Sequence, residues 1–326
     1  MLIINKIKNK LHTMKSDFNN DKQFSLYYAL LRIFTEITHR LHLNKFSLLL
    51  KTKREKWITN YLSNILTDVI SEVNIHTENS NGYFDSKSPI WISWWTGEDT
   101  APELVRQCIK SIKKNANNRK IVFITQENYL NYIDIPNFII DKAQSGNMKL
   151  AHLCDYIRIA LLEKYGGIWL DSTIFCSDQI PDEYFQFPFF TCRSETDEKC
   201  SYVSKMRWVT FVFGGYKHNI VFNYLKKAFE HYWQSNNTAI DYLFFDHLIE
   251  IGYDCIPDIK KMIDSVPINN IHRDDLQSSM NEKIHANKFY SIIKPDTVLY
   301  KLSWRETYAE TTDDGQPTVY KYFLNL

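Results

Sequence analysis

Apolar positions recur at helical spacing over the first 75 residues, a stretch that holds neither Gly nor Pro. Leu2, Ile3, Ile7 and Leu11 interleave with Lys6, Lys8 and Lys10. Leu26, Leu30, Phe34 and Ile37 form a second series, and Ile58, Leu62 and Ile65 a third. Helices of this kind either dock on the body of the protein or lie in a bilayer interface. Residues 74–88 are polar and read as a linker. They divide a helical region, residues 1–88, from a main domain, residues 89–326.

Beyond Pro89 the period changes. Ile90-Trp91-Ile92-Ser93-Trp94 is a short apolar run, as in a buried strand. On such a strand Trp94 and Trp95 point in opposite directions, one into the core and one free to face a ligand. Pro102 opens a helix through Leu104, Val105, Cys108, Ile109 and Ile112. Glu103 in its first turn and Lys113 and Lys114 at its end suit the helix dipole. Ile121-Val122-Phe123-Ile124 predicts a second strand and Phe138-Ile139-Ile140 a third. Residues 150–165 predict a helix, and Ile168-Trp169-Leu170 a strand directly after it. Alternating strands and helices imply an α/β fold with a parallel sheet, which binds ligands beyond the carboxyl ends of its strands.

Composition narrows the class. With 44% hydrophobic and 15% aromatic residues the chain can bury a core, which excludes wholesale disorder. It lacks the run of about eighteen apolar residues that a membrane-spanning helix needs, and its N-terminus lacks the apolar core of a signal peptide. Six cysteines without a C-x-x-C pair argue against structural zinc and for a reduced, cytoplasmic setting. No phosphate-binding G-x-x-x-x-G-K-[ST] loop and no H-x-x-x-H pair occurs. The net charge of +1 hides an asymmetry. Residues 1–60 carry twelve Lys/Arg against four Asp/Glu, a net of +8, which leaves −7 for the remainder. A basic front end on an acidic body points to an anionic partner, a membrane surface or a nucleic acid, or else to a solvated helix face. Aromatic residues at helical core spacing, rather than among the basic ones, speak against nucleic acid.

The most informative stretch runs from Asp155 to Thr173. Asp155 and Arg158 share one helix face, Gly166 and Gly167 end the helix, and a three-residue apolar strand then delivers Asp171 at its carboxyl end. Taken alone, Asp155 and Arg158 read as a surface ion pair, and Asp171 as a turn residue. Together they read as a site.

This stretch resembles the D-x-x-R…Y-G-G-I-x-L-D-x-[DT] signature of the DxD-containing sugar transferases of glycosyltransferase family 32, and within them the capsular polysaccharide synthesis proteins. Trp91-Ile92-Ser93-Trp94-Trp95-Thr96-Gly97-Glu98, Ala101-Pro102-Glu103-Leu104, the Gly214-Gly215 segment and Lys301-Leu302-Ser303-Trp304 match in the same order. The resemblance implies a GT-A type, Rossmann-like nucleotide-sugar domain with a mostly parallel central sheet, preceded by a helical region. It implies a retaining hexosyltransferase using a UDP-sugar, with galactose or glucose favoured. Under it, Asp155 and Arg158 hold the donor sugar, Trp95 stacks on the base, Tyr165 belongs to the donor-binding motif, and Ser303 and Trp304 close over the β-phosphate. Lys301 adds a point charge there. Asp171 faces the ribose and a divalent cation, Mn²⁺ or Mg²⁺, with Thr173 standing where the wider family has a second aspartate. Asp246, Asp241 or His247 are candidates to complete the site, and Asp246 is the catalytic candidate among them.

The expected acceptor is a lipid-linked oligosaccharide in capsule or other surface-polysaccharide assembly, with residues 1–60 holding a cytoplasmic, peripheral enzyme at the anionic inner face of the membrane. Two alternatives stand beside it: an effector that glycosylates a protein, and a non-catalytic nucleotide-sugar-binding protein, to which Thr173 points.

Overall fold

The computed structural model describes residues 17–75, 81–284 and 288–326. The first apolar series, Leu2 to Leu11 with its lysines, and residues 76–80 of the polar stretch lie outside them. Residues 17–22 are helical, and three helices follow: α1 (Leu26–Arg40), α2 (Asn44–Ile65) and α3 (Thr67–Ile75). There follow β1 (Asn81–Tyr83), β2 (Ile90–Ser93), α4 (Glu103–Lys114), β3 (Ile121–Ile124), α5 (Asn137–Gln144), α6 (Leu150–Tyr165), β4 (Gly167–Leu170), β5 (Ile174–Cys176), β6 (Phe189–Thr191), β7 (Val212–Gly215) and β8 (Lys217–Asn219). The C-terminal third adds α7 (Ile220–Ser235), α8 (Phe244–Cys255), α9 (Pro257–Asp264), α10 (Asp275–Ser279), α11 (Lys288–Ile292), β9 (Leu299–Lys301) and α12 (Val319–Phe323).

The fold is α/β with a mixed central sheet and an N-terminal helical region. Its five-stranded sheet has the order β3-β2-β4-β7-β6. β2 pairs in parallel with β3 and β4, as the strand–helix alternation requires, but β4–β7 and β7–β6 are antiparallel. The sheet is therefore mixed rather than mostly parallel, because β7 enters against its neighbours. The triplet Phe138-Ile139-Ile140 is helical, within α5, and not a strand; Pro136 at its N-cap starts the helix.

Strand alternation splits the core in two. Trp91, Val122 and Trp169 face a cluster shared with α6, α7 and α8, while Ile90, Ile92, Ile168 and Leu170 face α4, β5 and β9. The junction of α6 with β4 depends on two glycines. Gly166 caps the helix at φ +66, and Gly167 follows at φ +94 with the Pro89 carbonyl where a side chain would project. That close approach lets β4 begin beside the start of β2, where the Ile168 amide donates to Pro89 O at 3.0 Å.

The helical region is bound to the body. Tyr28, Ile58 and Leu62 are fully buried in the cluster that holds Tyr224 and Trp233. Tyr28 stacks on Trp57 at 4.8 Å, and its hydroxyl donates to Ile240 O. The other face of α1 stays open. Leu26, Leu30, Phe34 and Ile37, the second apolar series, are exposed, and so are Tyr27, Leu41, Leu43, Phe46, Leu48 and Leu49. Among the described residues no helix is long and apolar enough to cross a membrane.

Candidate functional site

The carboxyl ends of β2 and β4 open into a cleft of about 420 Å³. Its walls bring together Trp95, Arg158, Asp171, Thr173, Lys301, Ser303 and Trp304, seven of the twelve site candidates named from the sequence. Local structure explains the convergence. α6 runs back across the sheet and carries Arg158. β4 delivers Asp171, whose amide donates to Phe211 O at 2.9 Å. The turn after Asp171 leads into β5, which pairs antiparallel with β9 so that Ile174 faces Lys301. The Leu302 amide then donates to Thr173 O at 3.0 Å. Residues about 130 positions apart thus meet through one short strand pair.

Asp171 is the centre of this arrangement. Its Oδ1 accepts from Trp169 Nε1 at 3.0 Å and lies 3.5 Å from Arg158 Nη2. Its Oδ2 accepts from Lys301 Nζ at 3.0 Å, and the same ammonium donates to Thr173 Oγ1 at 2.6 Å. Burial alone would raise the Asp171 pKa; Lys301 and Arg158 outweigh it and hold the carboxyl below its usual range. Arg158 is itself buried, donates to Thr210 O at 2.6 Å and packs over the Trp169 ring at 5.0 Å.

Asp155 does not line the cleft. It sits behind Arg158, 3.6 Å away, and close to His152 at 3.8 Å. Tyr165 lies at the far end of α6, where its hydroxyl donates to Tyr132 O at 2.8 Å and its ring packs on Trp91. Ten residues of helix, about 15 Å, separate it from Asp155. Asp246 faces a second cavity of about 230 Å³ beside Thr210 and Phe211, and accepts from Trp208 Nε1 at 3.0 Å. Burial, with the charge of Asp155 adding to it, lifts Asp246 to about 6. Asp241 is paired with Arg54 at 3.5 Å and His247 is buried, so neither completes the cleft. From the segment that holds them, the exposed Tyr242 is the residue that reaches it.

Several lining residues escape a reading of sequence. β2 ends at Ser93, so Trp94 and Trp95 occupy a turn and both line the cleft instead of pointing apart. Trp95 packs on Tyr129 at 5.4 Å and Trp94 edge-on against Trp304 at 5.6 Å. Trp169 stands two residues before Asp171, so the strand period carries the signal that both emerge on one side. Arg305 adjoins Trp304 in sequence. Gln277, from the short α10, has no local signal at all.

The side chains lining the cleft fit a divalent cation poorly. Such a cation is held by one or two free carboxylates, with substrate phosphates and waters supplying the rest of its oxygens. Here Asp171 is the one acidic residue among the lining side chains, both its oxygens are engaged, and the Thr173 hydroxyl is held by Lys301. Among the described residues no group of three His, Cys, Asp or Glu converges to hold a metal.

Comparison with curated proteins and with solved structures gave no match. Against protein families, residues 40–323 match the model described as capsular polysaccharide synthesis protein. That match runs through the N-terminal helices α2 and α3, the α6–β4 junction and the Lys301 strand, and the chain belongs to the capsular polysaccharide synthesis protein family.

Proposed function

We propose that the protein is a retaining hexosyltransferase of the kind resembled by glycosyltransferase family 32, with a GT-A type donor domain. It moves galactose or glucose from a UDP-sugar to a lipid-linked oligosaccharide during capsule assembly. The observation that carries this reading is the lining of the cleft. Arg158, Lys301 and Arg305 line it with a single carboxylate, and Trp94, Trp95, Trp169 and Trp304 supply flat apolar walls. Cations bind a diphosphate, and aromatic faces bind a base or a sugar ring. Family membership is consistent with a role in capsule biosynthesis.

On this reading Trp95 takes the base, Arg158, positioned by Asp155, takes the sugar hydroxyls, and Ser303 and Trp304 cover the diphosphate. As the bond from the sugar C1 to the β-phosphate oxygen breaks, its electron pair stays on the phosphate, where the cations stabilise it. The acceptor oxygen bonds to C1 and passes its proton to the departing phosphate. Saturation-transfer NMR with a panel of UDP-hexoses tests donor binding. One sugar is expected to show contacts from base, ribose and hexose, and Trp95→Ala to weaken it about tenfold, as loss of one stacking wall does. A panel without any contact contradicts the reading.

The open face of α1 and α2 supports a peripheral membrane position. Ten large apolar side chains between Leu26 and Leu49 stand exposed, and His39, Arg40, His42, Lys45 and Lys53 lie among and just beyond them. An apolar stripe bordered by basic groups fits an anionic lipid surface, with each Lys or Arg charge worth about 1 kcal/mol. Tyr28, Ile58 and Leu62 belong to the core, so deleting residues 1–75 would strip the fold; surface substitution is the usable test. Leu30→Asp with Phe34→Asp is expected to lower sedimentation with phosphatidylglycerol vesicles at least about tenfold while donor binding stays unchanged. An unaltered vesicle-bound fraction would reject the membrane role.

A further inference from the structure

Building on the donor-site reading, we propose that the Lys301 ammonium takes the place of the divalent cation, so that this cleft binds and activates a nucleotide-sugar diphosphate without a metal. Three observations converge on it. The first is position. Lys301 Nζ lies 3.0 Å from Asp171 Oδ2 and 2.6 Å from Thr173 Oγ1, so it holds both side-chain oxygens that an ion bound by this pair would need. A divalent cation brought to within about 2.0–2.6 Å of these oxygens would be pressed against the ammonium, like charge against like.

The second is how the lysine is delivered. It is the last residue of β9, fixed by register opposite Ile174 and by its amide donating to Arg273 O at 2.7 Å. Its side chain is three-quarters buried and passes over the Phe211 ring at 5.1 Å. This is a lysine held by backbone pairing beside the Asp171–Thr173 turn, not a surface side chain folded inward. Two of its three N–H groups are used, which leaves one for a phosphate oxygen.

The third is charge. Arg158, Lys301 and Arg305 against Asp171 give the lining a net of +2. A nucleotide-sugar diphosphate carries two negative charges, one on each bridging phosphate, so the side chains already neutralise it. A divalent cation would overshoot. Threonine at 173 is consistent with this balance: a hydroxyl suits a monovalent ammonium, whereas a second carboxylate would call for a doubly charged partner. Lys301 would then stand where negative charge grows as the sugar–phosphate bond breaks, a preorganised cation in a part-buried site.

Calorimetric titration of UDP, GDP and uridine into the full-length protein, in EDTA and again with Mn²⁺, tests this. The wild type is expected to bind UDP with affinities in EDTA and Mn²⁺ that agree within about twofold. Lys301→Met, similar in length but uncharged, is expected to weaken UDP about 30-fold in either buffer, the size of one charge-assisted contact, with uridine affected little. Lys301→Arg should recover most of the loss. UDP binding by the wild type that requires Mn²⁺ overturns the inference and leaves the donor site standing, and this arm needs no variant to fold. Equal UDP affinity for Lys301→Met and the wild type in EDTA overturns it too. Failure of UDP and GDP to bind in either buffer overturns the donor-site reading itself.

Discussion

Replacing Asp171 by asparagine is expected to lower donor turnover about a thousandfold, with a smaller loss in donor affinity. The carboxylate is the one negative group in the cleft, and three donors converge on it: Trp169 Nε1, Arg158 and Lys301. Asparagine keeps the shape and an acceptor oxygen, but it presents an amide where Lys301 or Arg158 now meets an oxygen. One of those cations then loses its partner and its aim, and preorganised charge of this kind supplies about two to three orders of magnitude in rate. With the Asp171 side chain 29% exposed, water compensates part of the loss, so the fold should survive. Steady-state rates with the preferred donor, alongside thermal unfolding, check the outcome. A variant within tenfold of the wild type would remove Asp171 from the centre of the mechanism.

Gly167→Ala is expected to destabilise the protein by more than about 3 kcal/mol. The position sits at φ +94, and an added Cβ would lie 2.2 Å from Pro89 O and 3.1 Å from Pro89 N. Backbone, not a movable side chain, blocks it, so relief requires β4 to part from the start of β2. Gly146 is the control. It too has a positive φ, +79, but nothing lies within 4 Å of the added atom. Gly146→Ala should therefore show only the left-handed penalty, about 1–2 kcal/mol. Urea unfolding of the two variants separates conformation from collision, and equal losses would contradict the close approach at Pro89.

These two positions come from the stretch that sequence conveys best. Helix, paired glycines, short apolar strand and carboxylate follow one another within about twenty residues, so local rules place Arg158, Gly167 and Asp171 correctly. A short apolar run without a period fits helix and strand alike. Ile90 to Ser93 did form a strand, but Phe138-Ile139-Ile140, similarly apolar, became helix because Pro136 could start one. Sheet direction was hidden for another reason: nothing near Val212 says that β7 enters antiparallel. Asp155 and Tyr165 belong to the same local motif as Arg158 and Asp171, yet neither lines the cleft. Helical rotation and distance along α6 decide that, not residue type. Gln277 and the pairing of Lys301 with Asp171 depend on contacts across more than a hundred residues, which no local pattern encodes. The N-terminal helices illustrate a subtler failure. Leu26, Leu30, Phe34 and Ile37 have the spacing of a core face, but Tyr28, Ala29 and Leu31 are the residues of α1 that reach the core. Period reveals that a face is apolar and not what covers it.

The tryptophan-lined cationic cleft is expected to turn over a nucleotide sugar. Release of UDP from a panel of UDP-hexoses, measured for the wild type without any acceptor, tests it most directly, since donor hydrolysis by water needs no knowledge of the natural acceptor. Steady release from one hexose, with galactose or glucose favoured, is expected and should persist in EDTA. Absence of release from every sugar, with Mn²⁺ or without it, by protein that also fails to bind UDP would contradict it.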